Sequence, residues 1–359
     1  MDNKISFPHI ENYYIPIKYI IEKITKCEVI IPSLNNKETI EIGEKYSPSN
    51  ICMPFKYNLG NYINALNKGA TILIQAGGGC IYGYYAELQS QILEDLGYNF
   101  RFVNLIKNNH VSIKNLYLFA KSVNEKLNII VFIYYLIQGI LMIIFIDKID
   151  NYKRINQANI ENIKIFDTYR NILLKRYSQK NQSIYKIIKN YLKYNKKIKL
   201  LPLTNNEDNI KILLIGELFT LMDSTANNNL EKELLKKRIK IYRYTDLTYL
   251  LLKKKIYQSY ALKKSKKYIK YRLGADGTES VYHALKHCKM GIDGIIHIKS
   301  YGCIPELNAI PILNKISEEY KVPILYLSFD GENNVANIDT KLEAFYDMIN
   351  AQKRNNHFF

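Results

Sequence analysis

Leu73-Ile74-Gln75-Ala76-Gly77-Gly78-Gly79-Cys80-Ile81-Tyr82-Gly83-Tyr84-Tyr85 is an apolar run that reaches three glycines, then a cysteine, then a segment of helical spacing. That succession reads as a buried strand, a turn and a helix, with a thiol at the join. Working outward, residues 59–67 have helical spacing, and Gly69 follows where a C-terminal cap belongs. Residues 70–76 read as a strand, 84–96 as a helix stopped at Gly97, and 98–103 as a second strand. Strand, helix and strand at this spacing predict a parallel βαβ unit. Upstream, residues 28–32 read as a strand and 37–44 as a short helix, broken by Ser47-Pro48-Ser49-Asn50. The next segment, Ile51-Cys52-Met53-Pro54-Phe55-Lys56, puts another thiol in the turn before a helix.

The same arrangement returns late in the chain. Gly294-Ile295-Ile296-His297-Ile298 reads as a strand, followed by Lys299-Ser300-Tyr301-Gly302-Cys303-Ile304-Pro305-Glu306 and a helix over 305–320. Around it lie a strand at 210–215 followed by Gly216-Glu217, a helix at 229–238 and a strand at 239–244. A loop at 273–280 opens another helix, a strand covers 322–327, and a last helix covers 340–350. Residues 110–200 read as two or three long helices, and 205–209 as a linker. The expected fold is α/β, with two parallel-sheet, flavodoxin- or Rossmann-like lobes joined by a helical section and a cleft between the lobes. The expected boundaries are 1–109, 110–204 and 205–359. No internal repeat stands out beyond the shared plan of the lobes.

The formal charge is +18, from 51 basic and 33 acidic side chains. Nucleic acid is not expected as a partner, because the lysines are spread through a sequence rich in Ile, Asn and Tyr throughout. A denser basic run at 253–270 reads as a solvated helix face, or else as a docking patch for an acidic or phosphate-bearing partner. Five cysteines without dense, even spacing do not make a secreted disulfide scaffold. With no signal peptide at the start, a cytoplasmic, reduced protein is expected. Residues 127–146 are nearly uncharged and long enough to span a bilayer. As the single such run, basic at both flanks, this stretch is expected to be a buried helix, broken near Gly139, and membrane attachment is a distant alternative.

In open parallel sheets ligands sit at the carboxyl ends of the strands. Cys80 and Cys303 fall at such turns, one in each expected lobe, and Cys52 precedes a helix. Helix N-termini favour thiolate over thiol, and the N–H groups of Gly77, Gly78, Gly79 and Gly302 can hydrogen-bond sulfur. Three thiolates from these positions are one set that would hold an iron–sulfur cluster with an open iron. Buried small hydrophobes are the other reading of lone cysteines, and no C-x-x-C occurs.

The stretches ICMPFKYNLGNYINALNKGA, QAGGGCIYGYYAELQSQILEDLGY, LLIGELF and GIDGIIHIKSYGCIPELNAIPILNKIS, with VPILYLSFDGE and TKLEAFYDMI, resemble the 2-hydroxyacyl-CoA dehydratase family. Within it they are most similar to the branch described as acyl-CoA dehydratase activase-related, or CoA protein activase. The likeness covers roughly residues 35–105 and 205–350. It implies flavodoxin-like lobes and an oxygen-sensitive 4Fe–4S cluster ligated by Cys52, Cys80 and Cys303. It also implies an anaerobic lyase or reductase subunit that takes one electron from a separate ATP-hydrolysing iron–sulfur activator. The electron passes to the thioester carbonyl of an acyl-CoA, and the ketyl radical so formed expels the 2-hydroxyl. A homologous second subunit is the other implied partner. The alternative is a non-catalytic cluster-bearing or scaffold subunit. Ile81 and Lys341 stand where the branch commonly has Arg, and Gly331 where an acidic residue often follows Asp330. His297 is read as a fourth ligand or proton donor, or as a strand-end histidine bonded to backbone. Glu306 is read as a carboxylate at a helix N-terminus or as a proton-transfer group. Glu217 is placed at the same sheet end, and Cys27 and Cys288 are read as packing.

Overall fold

The computed structural model describes residues 3–75, 84–107, 110–204, 209–331 and 335–356. The glycine-rich loop with Gly77, Gly78, Gly79 and Cys80 lies outside these residues. The chain divides into two compact units, residues 1–149 with 162–201, and residues 150–161 with 202–359.

In the first unit β1 (Lys4–Ser6), β2 (Glu28–Val29), β3 (Ile72–Gln75) and β4 (Arg101–Asn104) form a sheet in the order β2-β1-β3-β4, every pair parallel. Helices α1 (Tyr14–Thr25), α2 (Lys37–Tyr46), α3 (Met53–Asn67) and α4 (Tyr85–Asp95) make the crossovers. The strands are apolar without alternation because both faces are covered. Leu73 packs with Phe55, Leu59, Tyr62 and Leu93 on one face. Ile72 and Ile74 pack with Ile5, Ile21 and Phe119 on the other. Met53 begins α3 although Pro54 follows it, because proline's missing N–H is harmless in a first turn. Helices α2 and α3 meet through glycines. A Cβ on Gly60 would lie 2.0 Å from the Thr39 carbonyl oxygen, and one on Gly43 1.8 Å from that of Lys56.

A short antiparallel pair, β5 (Ile106–Lys107) and β6 (His110–Val111), leads to α5 (Ile113–Val123). The apolar run then forms α6 (Ile129–Asn156), which passes through Gly139 without a break. Gly139 is instead where α1 comes close, since a Cβ there would lie 2.2 Å from Ile20 Cδ1. Length and composition alone would let α6 cross a membrane. It is tied into the first unit at two points: the Tyr19 hydroxyl donates to Gln138 and the Tyr13 hydroxyl to Asp147, all four residues buried. Helices α7 (Ile163–Tyr177) and α8 (Ile184–Lys199) follow, so the region read as two or three helices holds four.

The second unit has β7 (Lys211–Gly216), β8 (Lys240–Arg243), β9 (Gly294–Ser300) and β10 (Ile324–Phe329) in the order β10-β9-β7-β8, again all parallel. Its helices are α9 (Leu218–Met222), α10 (Leu230–Lys236), α11 (Lys254–Lys264), α12 (Gly277–Lys289), α13 (Ile304–Tyr320) and α14 (Val335–Asn356), and a π-helical turn spans Tyr249–Lys253. Strand residues Leu213, Ile215 and Ile295 pack against Val281, Ala284 and Leu285 of α12 and Ala309, Leu313 and Ile316 of α13. Segment 150–161 belongs here: Gln157 donates to the Ile239 carbonyl at 3.0 Å, and Thr204 N–H to that of Asn159 at 2.7 Å.

Counted within its own unit, each sheet has the same strand order: second, first, third, fourth. This is the doubly wound, flavodoxin-like order, whose topological switch point lies between the first and third strands. Cys80 follows the third strand of the first sheet in sequence, and Cys303 follows the third strand of the second.

Candidate functional site

Three of the expected residues, Cys303, Glu306 and His297, are placed by β9, the turn after it and the first turn of α13. Cys303 N–H donates to the Ser300 carbonyl at 3.1 Å, closing a tight turn, and Gly302 within it takes a φ of 75°. That left-handed conformation is open to glycine at no steric cost. Cys303 is the N-cap of α13, half-buried and in no disulfide, with Pro305 in the first turn. Alternation along β9 puts Ile295, His297 and Lys299 on one face, beneath α12 and α13. Lys299 is buried, and its ammonium interacts with both Cys303 and Glu306. Burial pulls the Lys299 value down, and these two neighbours oppose the shift. Cys303 therefore sits at a helix N-terminus within electrostatic reach of a buried lysine.

His297 and Glu306 meet. His297 Nε2 lies 2.7 Å from Glu306 Oε2, with both residues fully buried. His297 Nδ1 and Glu306 Oε1 have no hydrogen-bond partner among the described residues. So the histidine bonds the carboxyl of the next helix rather than backbone, and that carboxyl turns inward to it.

Cys52 is arranged like Cys303 in the first unit. It is the half-buried N-cap of α3 and takes part in no disulfide. Its Sγ lies 3.3 Å from the hydroxyl oxygen of Tyr85, the first residue of α4. Tyr85 in turn meets Phe55 edge to face, with ring centroids 4.8 Å apart. Cys52 is therefore held against the start of the helix that follows the glycine-rich segment. Cys27 is half-buried, with burial raising its thiol value. Cys288, on α12, points into the core cluster, and burial pushes its thiol up to about 12.

The second unit also gathers a polar cluster that the sequence did not single out beyond Glu217 and Glu306. Glu217 follows β7 as the N-cap of α9 and accepts from the N–H groups of Phe219 (2.7 Å) and Thr220 (3.0 Å) and from the Thr220 hydroxyl. Burial nonetheless pushes its carboxyl up to about 7; Asp276 adds to the rise and the three hydrogen bonds oppose it. Lys254 and Asp276 form a buried ion pair at 2.7 Å. The basic run was read as a solvated face, but its first helical lysine points into the protein. Tyr249 donates to Glu279 Oε1 at 2.9 Å, while Oε2 has no partner among the described residues. Tyr244 lies flat on His283, centroids 3.9 Å apart. Burial holds the Tyr244 hydroxyl value well above the usual range, and Asp276, Glu279, Tyr249 and Glu306 raise it further. Burial keeps His283 neutral, with help from His287 and Lys286. The starts of α12 and α13 join the cluster to the Cys303 turn: a Cβ on Gly277 would lie 2.4 Å from the Pro305 carbonyl oxygen. These groups sit at the carboxyl end of the sheet, where doubly wound folds place ligands. Carboxyls that titrate near neutrality are suited to giving and taking protons.

Glu279 supplies a pH test. Burial, then Asp276, push its carboxyl up to about 7, against Lys254 and the Tyr249 hydroxyl. An acid whose folded value exceeds its unfolded value makes the fold less stable as pH rises from the unfolded value toward the folded one. Glu279→Gln keeps an acceptor for Tyr249 and removes that penalty. The variant is expected to match the parent near pH 4.5 and to exceed it by up to about 3 kcal/mol above pH 7. Denaturant unfolding across that range measures the difference, and a constant offset would contradict the assignment.

The chain matches no protein-family model and no curated protein.

Proposed function

We propose that this chain is an iron–sulfur protein of the 2-hydroxyacyl-CoA dehydratase type, in which Cys52, Cys80 and Cys303 hold a 4Fe–4S cluster. One observation carries the reading: Cys80 and Cys303 each follow the third strand of a sheet with the same doubly wound order, where such folds hold ligands. The surroundings of two of the three cysteines support the reading. Cys52 and Cys303 are both half-buried helix N-caps in no disulfide, one beside a tyrosine hydroxyl and the other beside a buried ammonium. Cys80 lies outside the described residues. When bound, such a cluster supplies one-electron reduction and Lewis acidity at an open iron.

The chain's own residues would do the rest. Lys299 offsets negative charge gathered at Cys303. Glu217 and Glu279 hold protons near neutrality, and a departing hydroxyl needs one to leave as water. The electron would come from an ATP-hydrolysing iron–sulfur activator, and the substrate would be an acyl-CoA. A second reading, a cluster-bearing subunit without its own catalysis, is favoured by Ile81 and Lys341. At these positions the planar, bidentate guanidinium that recognises carboxylate or phosphate is missing.

Anaerobic purification followed by iron and sulfide analysis tests the proposal. About four irons per chain are expected, lost in Cys80→Ser and in Cys303→Ser. Metal-free protein that tolerates oxygen would end it. Reduction of the bound cluster by an activator with ATP, with or without turnover of an acyl-CoA, separates the two readings.

A further inference from the structure

Charge is not evenly distributed. Residues 162–201 carry eleven Lys and Arg and a single Asp, a net of +10 out of the chain's +18. They form the hairpin of α7 and α8 in the first unit. Helix α8 alone has six lysines and no acid, and all six are exposed. Among the described residues none of them has a carboxylate partner. Lys189, Lys193 and Lys197 lie instead over the rings of Tyr185, Tyr194 and Tyr169.

The helix already has one apolar face in use. Ile187, Tyr194 and Ile198 are buried, and Tyr191 stacks on Phe145 of α6 with centroids 4.1 Å apart. Yet its outer face also carries large apolar side chains among the lysines. Tyr185 (72% exposed), Ile188 (36%) and Leu192 (57%) recur at helical spacing, and Leu200 (72%) lies just beyond the helix end. In the same unit the first half of α6 exposes Ile130, Ile133, Tyr134 and Ile137, also on one stripe.

We propose that the α7–α8 hairpin docks on the surface of an anionic phospholipid bilayer, with α8 in the plane of the interface. A polyanion answers the charge, and the apolar side chains decide which polyanion. Ile188, Leu192 and Leu200 have nothing to offer a phosphodiester backbone, whereas at a bilayer they reach the acyl boundary. Lysine stems extend alongside them to put ammonium groups among lipid phosphates. Tyrosine is a residue of that interface. Attachment of this kind lies on the membrane and does not cross it, so the buried bonds of Gln138 and Asp147 on α6 stay intact.

The chain has no tryptophan, so Leu192→Trp makes a single reporter. The full-length protein would be sedimented with phosphatidylcholine vesicles, with or without about 30 mol % phosphatidylserine. At least roughly tenfold more protein should pellet with the anionic vesicles, falling as salt is raised. Emission from the introduced indole should shift to the blue on binding. The triple variant Lys189→Glu, Lys193→Glu, Lys196→Glu alters only exposed positions and should abolish pelleting while melting like the parent. Ile188→Ser with Leu192→Ser should weaken pelleting at unchanged charge. The proposal is overturned by absence of binding, or by binding that survives the charge reversals. It is equally overturned if the indole stays water-exposed while the protein prefers nucleic acid, or if the indole is buried by dimerisation without lipid. None of these readouts depends on iron content.

Discussion

Lys254→Met is expected to lower the stability of the second unit by about 3–5 kcal/mol, the cost of leaving a buried charge without its partner. The Lys254 side chain is 7% exposed and that of Asp276 5%, with Nζ and Oδ1 2.7 Å apart. Coulomb attraction at that distance offsets much of the desolvation of both ions, so the intact pair is close to balanced. Take away the ammonium and Asp276 keeps its carboxylate beside Glu279 and Glu217, whose carboxyls its charge already helps to push up. The double variant Lys254→Met, Asp276→Asn should recover most of the loss, because no unpaired charge remains. Hydrogen exchange of the β7 and β9 amides follows the second unit separately from the first. A loss below about 1 kcal/mol in the single variant would show that water reaches the pair.

The other large effect is expected at His297 and Glu306. His297→Leu leaves a fully buried carboxyl with neither oxygen paired, at a cost of about 3 kcal/mol. Replacing both residues by leucine should cost much less, since two polar groups leave together. That double variant separates support from chemistry. If the pair only fastens the first turn of α13 to β9, the double variant is expected to fold and to keep whatever activity the parent has. If the proposed function holds and the pair moves protons for it, the variant would fold and load iron like the parent but turn over slowly at every pH. Chemical denaturation reads the first role, and turnover by preparations matched for iron content reads the second.

Much of the fold was legible because buried parallel strands are unbroken apolar runs between turn signals, as at Leu73-Ile74-Gln75 and along β9. What escaped was short or locally unusual. Strand β1 is only three residues, Lys4–Ser6, with no room for a period, although it lies between β2 and β3 and so fixes the strand order. Helical spacing is legible from residue 59, but α3 begins six residues earlier at Met53, with Pro54 inside its first turn. Cys52 and Cys303 could be placed at helix starts because caps leave local marks. The pairing of His297 with Glu306 leaves none, since it depends on which side of β9 is covered by the next helix. Lys254 was concealed by its neighbours: in a run of lysines, composition gives no sign of the one that turns inward. The segment 273–280 reads as a loop opening a helix, and the helix begins within it, at Gly277. That Glu279 sits with Tyr244 and Tyr249 needed the β8 and π-helical segments in place.

The division of the chain has a consequence for how the protein is made. Residues 150–161 belong to the second unit but emerge from the ribosome before residues 162–201, which complete the first. The first unit can therefore close only after residue 201 has emerged, and Gln157 must wait until Ile239 is made before its side chain has its acceptor. At typical synthesis rates that interval is on the order of ten seconds. During it the last turns of α6 are exposed without their final neighbours. The two units are thus completed in interleaved order, and no single proteolytic cut yields two intact halves.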